Sequence, residues 1–126
     1  MEIEEKLYYY KANFLTNYDG DTVTLKIDLG MKVFVEEKVR LFGLDTPEVN
    51  RKESKEAGLA ARDFLRERLK EIEISHDRQL WVNTVRDKKG KYGRYLVVLY
   101  ETDGNGPPMN LNDWLINSGH AVAKEY

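Results

Sequence analysis

The sequence contains no cysteine, and this absence removes several kinds of chemistry. Disulfide bonds, thiolate zinc sites and cysteine nucleophiles are excluded, while the redox compartment stays undetermined. Histidine is scarce as well, since His76 and His120 are the only two. A metal site rich in imidazole is therefore not expected.

The chain also lacks a long apolar run. No stretch approaches the roughly 18 apolar residues that a membrane-spanning helix requires. The segment Met1–Lys6 is acidic and does not resemble a signal peptide. With 126 residues, the chain is expected to form one domain over residues 1–126. We expect a cytoplasmic monomer without membrane contact.

An excess of positive charge is missing too. The formal net charge is −2, whereas proteins that bind nucleic acid by counterion release usually present a basic surface. The overall charge thus argues against tight non-specific binding. Local charge is different, because the segment Arg86–Arg94 carries five cations and one anion.

Alternation of apolar and polar residues predicts a mainly β protein. The predicted strands are Leu7–Leu15, Thr22–Leu29, Leu80–Val85 and Arg94–Tyr100. The third strand is predicted over Lys32–Val35 or over more of the stretch to Leu44, with a break around Glu36–Glu37 left open. A stripe of apolar residues at helical spacing predicts a helix over Glu56–Ile72. A second helix is expected to be capped by Asn112 and to end at Gly119.

The order of these elements is three strands, a helix, two strands and a helix. Short strands joined by hairpin turns suggest a small closed barrel, and five strands with an inserted helix fit the oligonucleotide-binding (OB) barrel. The predicted class is therefore α+β, mainly β, with a five-stranded OB barrel and two or three helices. Such a fold does not by itself give a function.

Polar residues that could bind a ligand or take part in catalysis concentrate at three turns. Arg40 lies on a strand that is predicted to stop at Asp45–Glu48, because Pro47 cannot donate to a sheet. The turn Asp19–Val23 adds carboxylates, and Lys91–Arg94 adds cations. Taken singly, these residues could be turn formers, surface ion pairs or a hairpin tip. Together they suggest one site for a phosphate and a divalent metal.

The residue types suit hydrolysis of a phosphodiester. Carboxylates are oxygen ligands for a hard cation such as calcium, which accepts backbone carbonyls and waters to complete its shell. The planar fork of arginine donates parallel hydrogen bonds to a phosphate and keeps its charge. A glutamate near the metal can orient or deprotonate water. No covalent nucleophile is evident, so direct attack by water is favoured.

In their order and spacing, the three turns resemble those of the thermonuclease (staphylococcal nuclease-like) family. The resemblance extends from about Leu7 to Tyr126 and is carried by Asp19-Gly20-Asp21-Thr22-Val23, by Arg40 with Asp45-Thr46-Pro47-Glu48, and by Lys91-Tyr92-Gly93-Arg94. It implies an OB barrel and a calcium-dependent endonuclease acting on DNA and RNA. It also implies cleavage of the bond to the 5′ oxygen, which leaves 3′-phosphates.

The resemblance further implies a role for each matched position. The metal ligands would be Asp21 and Asp45, through carboxylates, and Thr46, through its carbonyl. The catalytic positions would be Glu48, beside the attacking water, and the phosphate-binding Arg40 and Arg94. The substrate-binding positions would be Lys91, Tyr92 and Tyr126.

Two other functions stay open. The chain could be an OB module that binds single-stranded nucleic acid or a protein partner without cutting it. It could also be a structural domain whose motif residues serve as turns and salt bridges. Non-cutting relatives typically lose the carboxylates or arginines, whereas this chain keeps the full set, which favours catalysis: Asp21, Arg40, Asp45, Glu48 and Arg94.

Overall fold

The computed structural model describes residues 3–89 and 93–125, with the backbone alone at positions 4, 6 and 86–89. Within these residues a short 3₁₀ helix, Ile3–Lys6, precedes the strands. The strands are β1 (Tyr9–Asp19), β2 (Thr22–Gly30), β3 (Val33–Leu41), β4 (Leu44–Asp45), β5 (Gln79–Lys89), β6 (Tyr95–Thr102), β7 (Met109–Asn110) and β8 (Val122–Ala123). The α-helices are α1 (Lys55–Ile74) and α2 (Leu111–Asn117).

Five of the strands close into a barrel. They are hydrogen-bonded in the order β3-β2-β1-β5-β6. A parallel pairing between β3 and β6, with Arg40 opposite Leu96 and Leu41 opposite Val97, completes the ring. The α+β, mainly β class and the five-stranded OB barrel are therefore confirmed.

The core follows the sequence periodicities. Val23, Leu25 and Ile27 point inward from β2 and are almost completely buried, as strict alternation along a half-buried strand requires. Helix α1 buries Leu65 and Leu69 against the same cluster. The predicted helix is confirmed and extends slightly further at both ends than the apolar stripe indicated.

The third strand differs from its prediction. Strand β3 runs unbroken through Glu36–Glu37 and ends at Leu41. Gly43 then adopts a left-handed φ of 83°, which glycine accepts because it has no Cβ. This turn shifts the alternation, so that Leu44, which the pattern placed on the face of Arg40, is fully buried. The chain resumes pairing as β4.

Strand β1 is longer than predicted and irregular. Its pairing with β2 shifts register between Phe14 and Thr16 and again between Asn17 and Asp19. Such bulges bend a strand and re-aim side chains. After the first shift the inward positions change parity, so that Asn17 is buried while Tyr18 is exposed; the strand then leads directly into the Gly20 turn.

The cap of α2 was predicted at the wrong asparagine. Asn110 is the N-cap, and its side chain accepts a hydrogen bond from the backbone N–H of Asp113. Asn112 is buried inside the helix, where its Nδ2 donates to the carbonyl of Phe42 at 2.9 Å. The side chain thus joins α2 to the end of β3. Gly119 has a φ of 88°, as expected after a helix.

Among the residues that the structure describes, no helix combines the length and apolarity needed to cross a membrane.

Candidate active site

A cavity of about 640 Å³ lies beside the turn after β1, the end of β3 and the loop after β4. Its lining includes every predicted site residue that falls within the described ranges, namely Asp21, Arg40, Asp45, Thr46, Glu48 and Arg94. The other three predicted positions, Lys91, Tyr92 and Tyr126, lie outside the described residues. Each of the three turns singled out by sequence therefore contributes at least one described residue to this cavity.

Asp21 is fixed by the backbone of neighbouring segments. Its carbonyl accepts a hydrogen bond from the N–H of Leu41 at 2.8 Å. Its carboxylate accepts one from the N–H of Thr46 at 3.1 Å and one from the hydroxyl of Thr22 at 3.2 Å. The turn after β1 is therefore bonded to both the end of β3 and the segment that follows β4.

Gly20 makes this close approach feasible. A Cβ added at Gly20 would lie 2.7 Å from Cγ2 of Thr46 and 3.0 Å from Cβ of Ala61. Real Cβ atoms do not come that near another carbon. The glycine in the Asp-Gly-Asp motif therefore provides space between the turn, the Thr46 segment and helix α1.

Arg40 joins the two carboxylates predicted to bind metal. Its guanidinium lies 3.3 Å from the carboxylate of Asp21 and forms a direct hydrogen-bonded ion pair with Asp45. The side chain of Arg40 is 14% exposed and that of Asp21 only 6%. Such an environment is less screened than the surface, so the charges of Arg40, Asp21 and Asp45 act strongly on one another and on any ion brought beside them.

The burial of Asp21 has an electrostatic cost. Desolvation, followed by the hydrogen bond and negative charge of Asp19, raises the pKa of Asp21 from 3.8 to about 6. The charge of Arg40 and the N–H of Thr46 act in the opposite direction but do not cancel this rise. An additional cation beside Asp21 would favour its ionised form.

Glu48 stands on a loop that is clamped against α1. Its carbonyl accepts a hydrogen bond from the hydroxyl of Ser54 at 2.7 Å. Gly58 of α1 packs so closely that an added Cβ would lie 2.8 Å from the carbonyl oxygen of Pro47. The Glu48 side chain is 52% exposed and pairs with Arg51 at 2.8 Å. Backbone contacts thus hold the loop, while the carboxylate reaches solvent.

Sequence reasoning missed three cations at this cavity, namely Lys38, Arg51 and Lys124. Arg51 could have been noticed, because it follows Glu48 by three residues in a segment that turns. Lys124 gave no local signal. It arrives through the pairing of β4 with β8, its N–H donates to the carbonyl of Gly43 at 2.8 Å, and its ammonium lies 3.4 Å from the carboxylate of Asp45.

The donor chemistry of the cavity fits a hard cation. In residues 3–89 and 93–125, no group of three or more His, Cys, Asp or Glu side chains is arranged as a metal site. The predicted ligands, however, are two carboxylates and one carbonyl, and all of them are oxygens of the kind calcium prefers. In addition, the buried hydroxyl of Thr46 has no hydrogen-bond partner among the described residues.

Comparison with known proteins relates the chain to a family and to a protein of similar sequence. The family model described as staphylococcal nuclease homologue matches residues 38–126. That range includes Arg40, Asp45, Glu48 and Arg94 and begins after the turn that carries Asp21. The chain is also 28% identical, over 131 aligned positions, to an uncharacterized protein of Methanocaldococcus jannaschii, with 90% of this chain and 58% of that protein covered. The chain therefore spans a little more than half the length of this relative.

Proposed function

Because the chain belongs to the staphylococcal nuclease homologue family, we propose that it is a calcium-dependent endonuclease acting on DNA and RNA. It hydrolyses phosphodiester bonds by direct attack of water and leaves 3′-phosphates. The observation that carries this proposal is the joint placement of two arginines, two buried or half-buried aspartates and a glutamate around one cavity.

The arginines bind the phosphate. Arg40 is already oriented by ion pairs with Asp21 and Asp45, so little side-chain freedom is lost when it meets an anion. Arg94 lines the same cavity just before β6. Two guanidinium groups can meet the phosphate oxygens from different elements, and the charge that develops in the transition state is stabilised by donors already in place.

The carboxylates of Asp21 and Asp45, together with the carbonyl of Thr46, would hold the metal. A calcium ion there would supply positive charge that stabilises the transition state. Hydrogen bonds from Thr46 and Thr22 hold the Asp21 carboxylate in place. The ion pair with Lys124 helps to orient the Asp45 carboxylate.

Glu48 orients the attacking water and accepts its proton. Its carboxylate is exposed enough to exchange protons with solvent, and the ion pair with Arg51 limits the directions in which it points. Proton transfer by a positioned carboxylate typically contributes about 10²- to 10⁴-fold to a rate. The close packing of Gly58 on Pro47 holds the backbone that carries this carboxylate beside the cavity.

The test is degradation of single-stranded DNA and RNA in calcium, in chelator, and by Asp45→Ala in calcium. We expect cutting in calcium and none in the other two conditions. Asp63→Ala is the matched control, because Asp63 is an exposed carboxylate of α1 paired with Arg62 and does not line the cavity. It should cut like the wild type.

The alternative is an OB module that binds a strand or a protein without cutting. Its signature would be a folded protein that retains strands in calcium but does not shorten them. Cutting that persists in chelator would contradict the proposed metal site but would still agree with a nuclease. End groups are read from the products: a 3′-phosphate blocks extension by a polymerase until a phosphatase removes it.

A further inference from the structure

An exposed tyrosine stands at the rim of the cavity. Tyr18 is 52% exposed and, among the residues that the structure describes, contributes the one aromatic ring in the cavity lining. It lies at the second register shift of β1, between Asn17 and Asp19. The earlier shift, between Phe14 and Thr16, changes the alternation so that Asn17 faces the protein and Tyr18 faces outward; the irregular backbone of β1 therefore places the ring at the rim.

A lysine lies against this tyrosine. The ammonium of Lys38 is 5.2 Å from the centroid of the Tyr18 ring, within the range of a cation–π contact. Lys38 also lines the cavity and precedes Arg40 by two residues on β3. Alternate residues of a strand share a face and are about 7 Å apart. The cation therefore lies one step along the barrel surface from the arginine that meets phosphate.

We propose that Tyr18 is a stacking platform for a nucleobase next to the scissile phosphate, and that Lys38 pairs with the adjoining phosphate. We call these two residues the rim platform. The inference rests on the proposed nuclease function, because it takes the phosphate of a strand to lie at Arg40. It assigns a substrate class as well: an unpaired strand, whose base is free to stack.

The alternative role for an exposed tyrosine is simple packing on the barrel surface. Three observations favour a ligand: the ring is more than half exposed, it lies at a bulge on the rim of the cavity, and it contacts Lys38, which precedes Arg40 by two residues on the same strand. Aromatic rings beside a cationic track are the usual means by which proteins hold single strands without reading their sequence. A duplex base pair could not present a base face to the ring without being unstacked first.

The test combines a change in the protein with a change in the strand. Binding of a labelled oligothymidine is measured by fluorescence anisotropy in chelator, so that no strand is cut. Single abasic positions are then moved along the strand. At one position we expect wild-type binding to weaken by about 5- to 100-fold. In Tyr18→Ala the same abasic change should have no further effect, because the partner ring is already gone.

Matched variants separate the ring from other effects. Tyr18→Phe should behave as wild type, and Tyr18→Leu, which keeps bulk without a ring, should behave as Tyr18→Ala. Tyr9→Ala is the control, because Tyr9 is an exposed tyrosine at the other end of β1. Lys38→Met should weaken binding of intact and abasic strands equally. Loss in Tyr18→Phe as large as in Tyr18→Ala would overturn the stacking role.

Cleavage in calcium is measured on the same proteins, so that the two proposals can fail separately. Suppose that the wild type cuts, and that an abasic position weakens binding equally in wild type and in Tyr18→Ala. This result would overturn the rim platform but would agree with the nuclease proposal. An abasic penalty that depends on Tyr18 in a protein that never cuts would support the platform and overturn the nuclease. Absence of both cutting and binding would overturn both.

Discussion

Replacing Asp21 by asparagine should stabilise the metal-free protein at pH 7. The carboxylate is buried beside Asp19, and its pKa is raised to about 6 by burial and by that neighbour. Its ionised form at pH 7 is therefore held at a cost that a neutral amide of the same shape avoids. The protein tolerates this cost, we infer, because the site needs the charge to hold a cation.

The magnitude can be worked out from the shift and the bonds. One pKa unit corresponds to about 1.4 kcal/mol, so a rise from 3.8 to about 6 destabilises the folded state at pH 7 by about 3 kcal/mol. The two carboxylate oxygens of Asp21 contact Thr46, Thr22 and Arg40. Asparagine keeps only one of these acceptor oxygens, and the lost hydrogen bond reduces the stability of the variant by about 1 kcal/mol. The expected net gain is about 1–2 kcal/mol, or roughly 4–8 °C in Tm.

The pH dependence has a definite sign. The folded pKa of Asp21 lies above the unfolded one, so the folded protein binds this proton more tightly. The resulting stabilisation is fully present below about pH 4 and is lost as the pH rises through about 6. The advantage of Asp21→Asn should accordingly be present at pH 7 and disappear near pH 4, where the aspartate of the wild type is neutral too.

The assay is urea unfolding in chelator at several pH values, repeated with calcium. Calcium should stabilise the wild type, and it should stabilise Asp21→Asn much less. Asp63→Asn, at an exposed position, should change stability little under any condition. The reasoning is refuted if Asp21→Asn is less stable than wild type at pH 7 in chelator, or if its advantage is the same at pH 4.

Four further predictions concern activity, packing and salt. Glu48→Gln should lower kcat by about 10²- to 10⁴-fold with an unchanged Tm; wild-type turnover would remove its proposed role. Arg40→Lys should lower kcat/KM at least 10-fold because lysine lacks the planar fork, and an unchanged rate in steady-state kinetics would show that it does not clamp phosphate. Gly58→Ala, normally favourable in a helix by about 1 kcal/mol, should instead destabilise the protein in urea unfolding and lower kcat, because its Cβ meets backbone at 2.8 Å. Phosphate contacts by Arg40, Arg94 and Lys38 predict a slope of about −2 for log affinity of a single strand against log salt; a slope near zero in a salt titration would contradict ionic binding.

The barrel was predictable because its signals are local. Alternation along β2 and the apolar stripe of α1 follow from burial on one face, and both elements were found close to their predicted bounds. The errors occur where distant contacts decide. Asn112 looked like a helix cap, but it is buried and bonds to Phe42 and Val97 across the molecule. The end of β3 was missed because Gly43 changes the direction of the chain.

In the candidate site, too, sequence grouped neighbouring residues correctly but missed the contacts made between distant segments. Arg40, Asp45 and Glu48 stand in one short segment, so sequence could group them, and spacing linked them to Asp21. Their ion pairs could not be foreseen: Arg40 joins both aspartates only because the turn after β1 packs on Thr46. Lys124 was missed because a two-residue strand pairing carries it to the cavity.

The parallel pairing that closes the barrel also bears on when a refolding chain becomes active. It joins Arg40 to Leu96, which have helix α1 and strand β5 between them in the sequence, and contacts of such long separation cost more chain entropy than hairpins do. A chain that has formed only the β1–β3 meander can place Asp21 beside Arg40 but has no means of bringing up Arg94. The return of the proposed nuclease activity should therefore follow closure of the ring and lag behind the recovery of hairpin and helix signals. The recovery of activity would then report when the β3–β6 pairing forms during refolding.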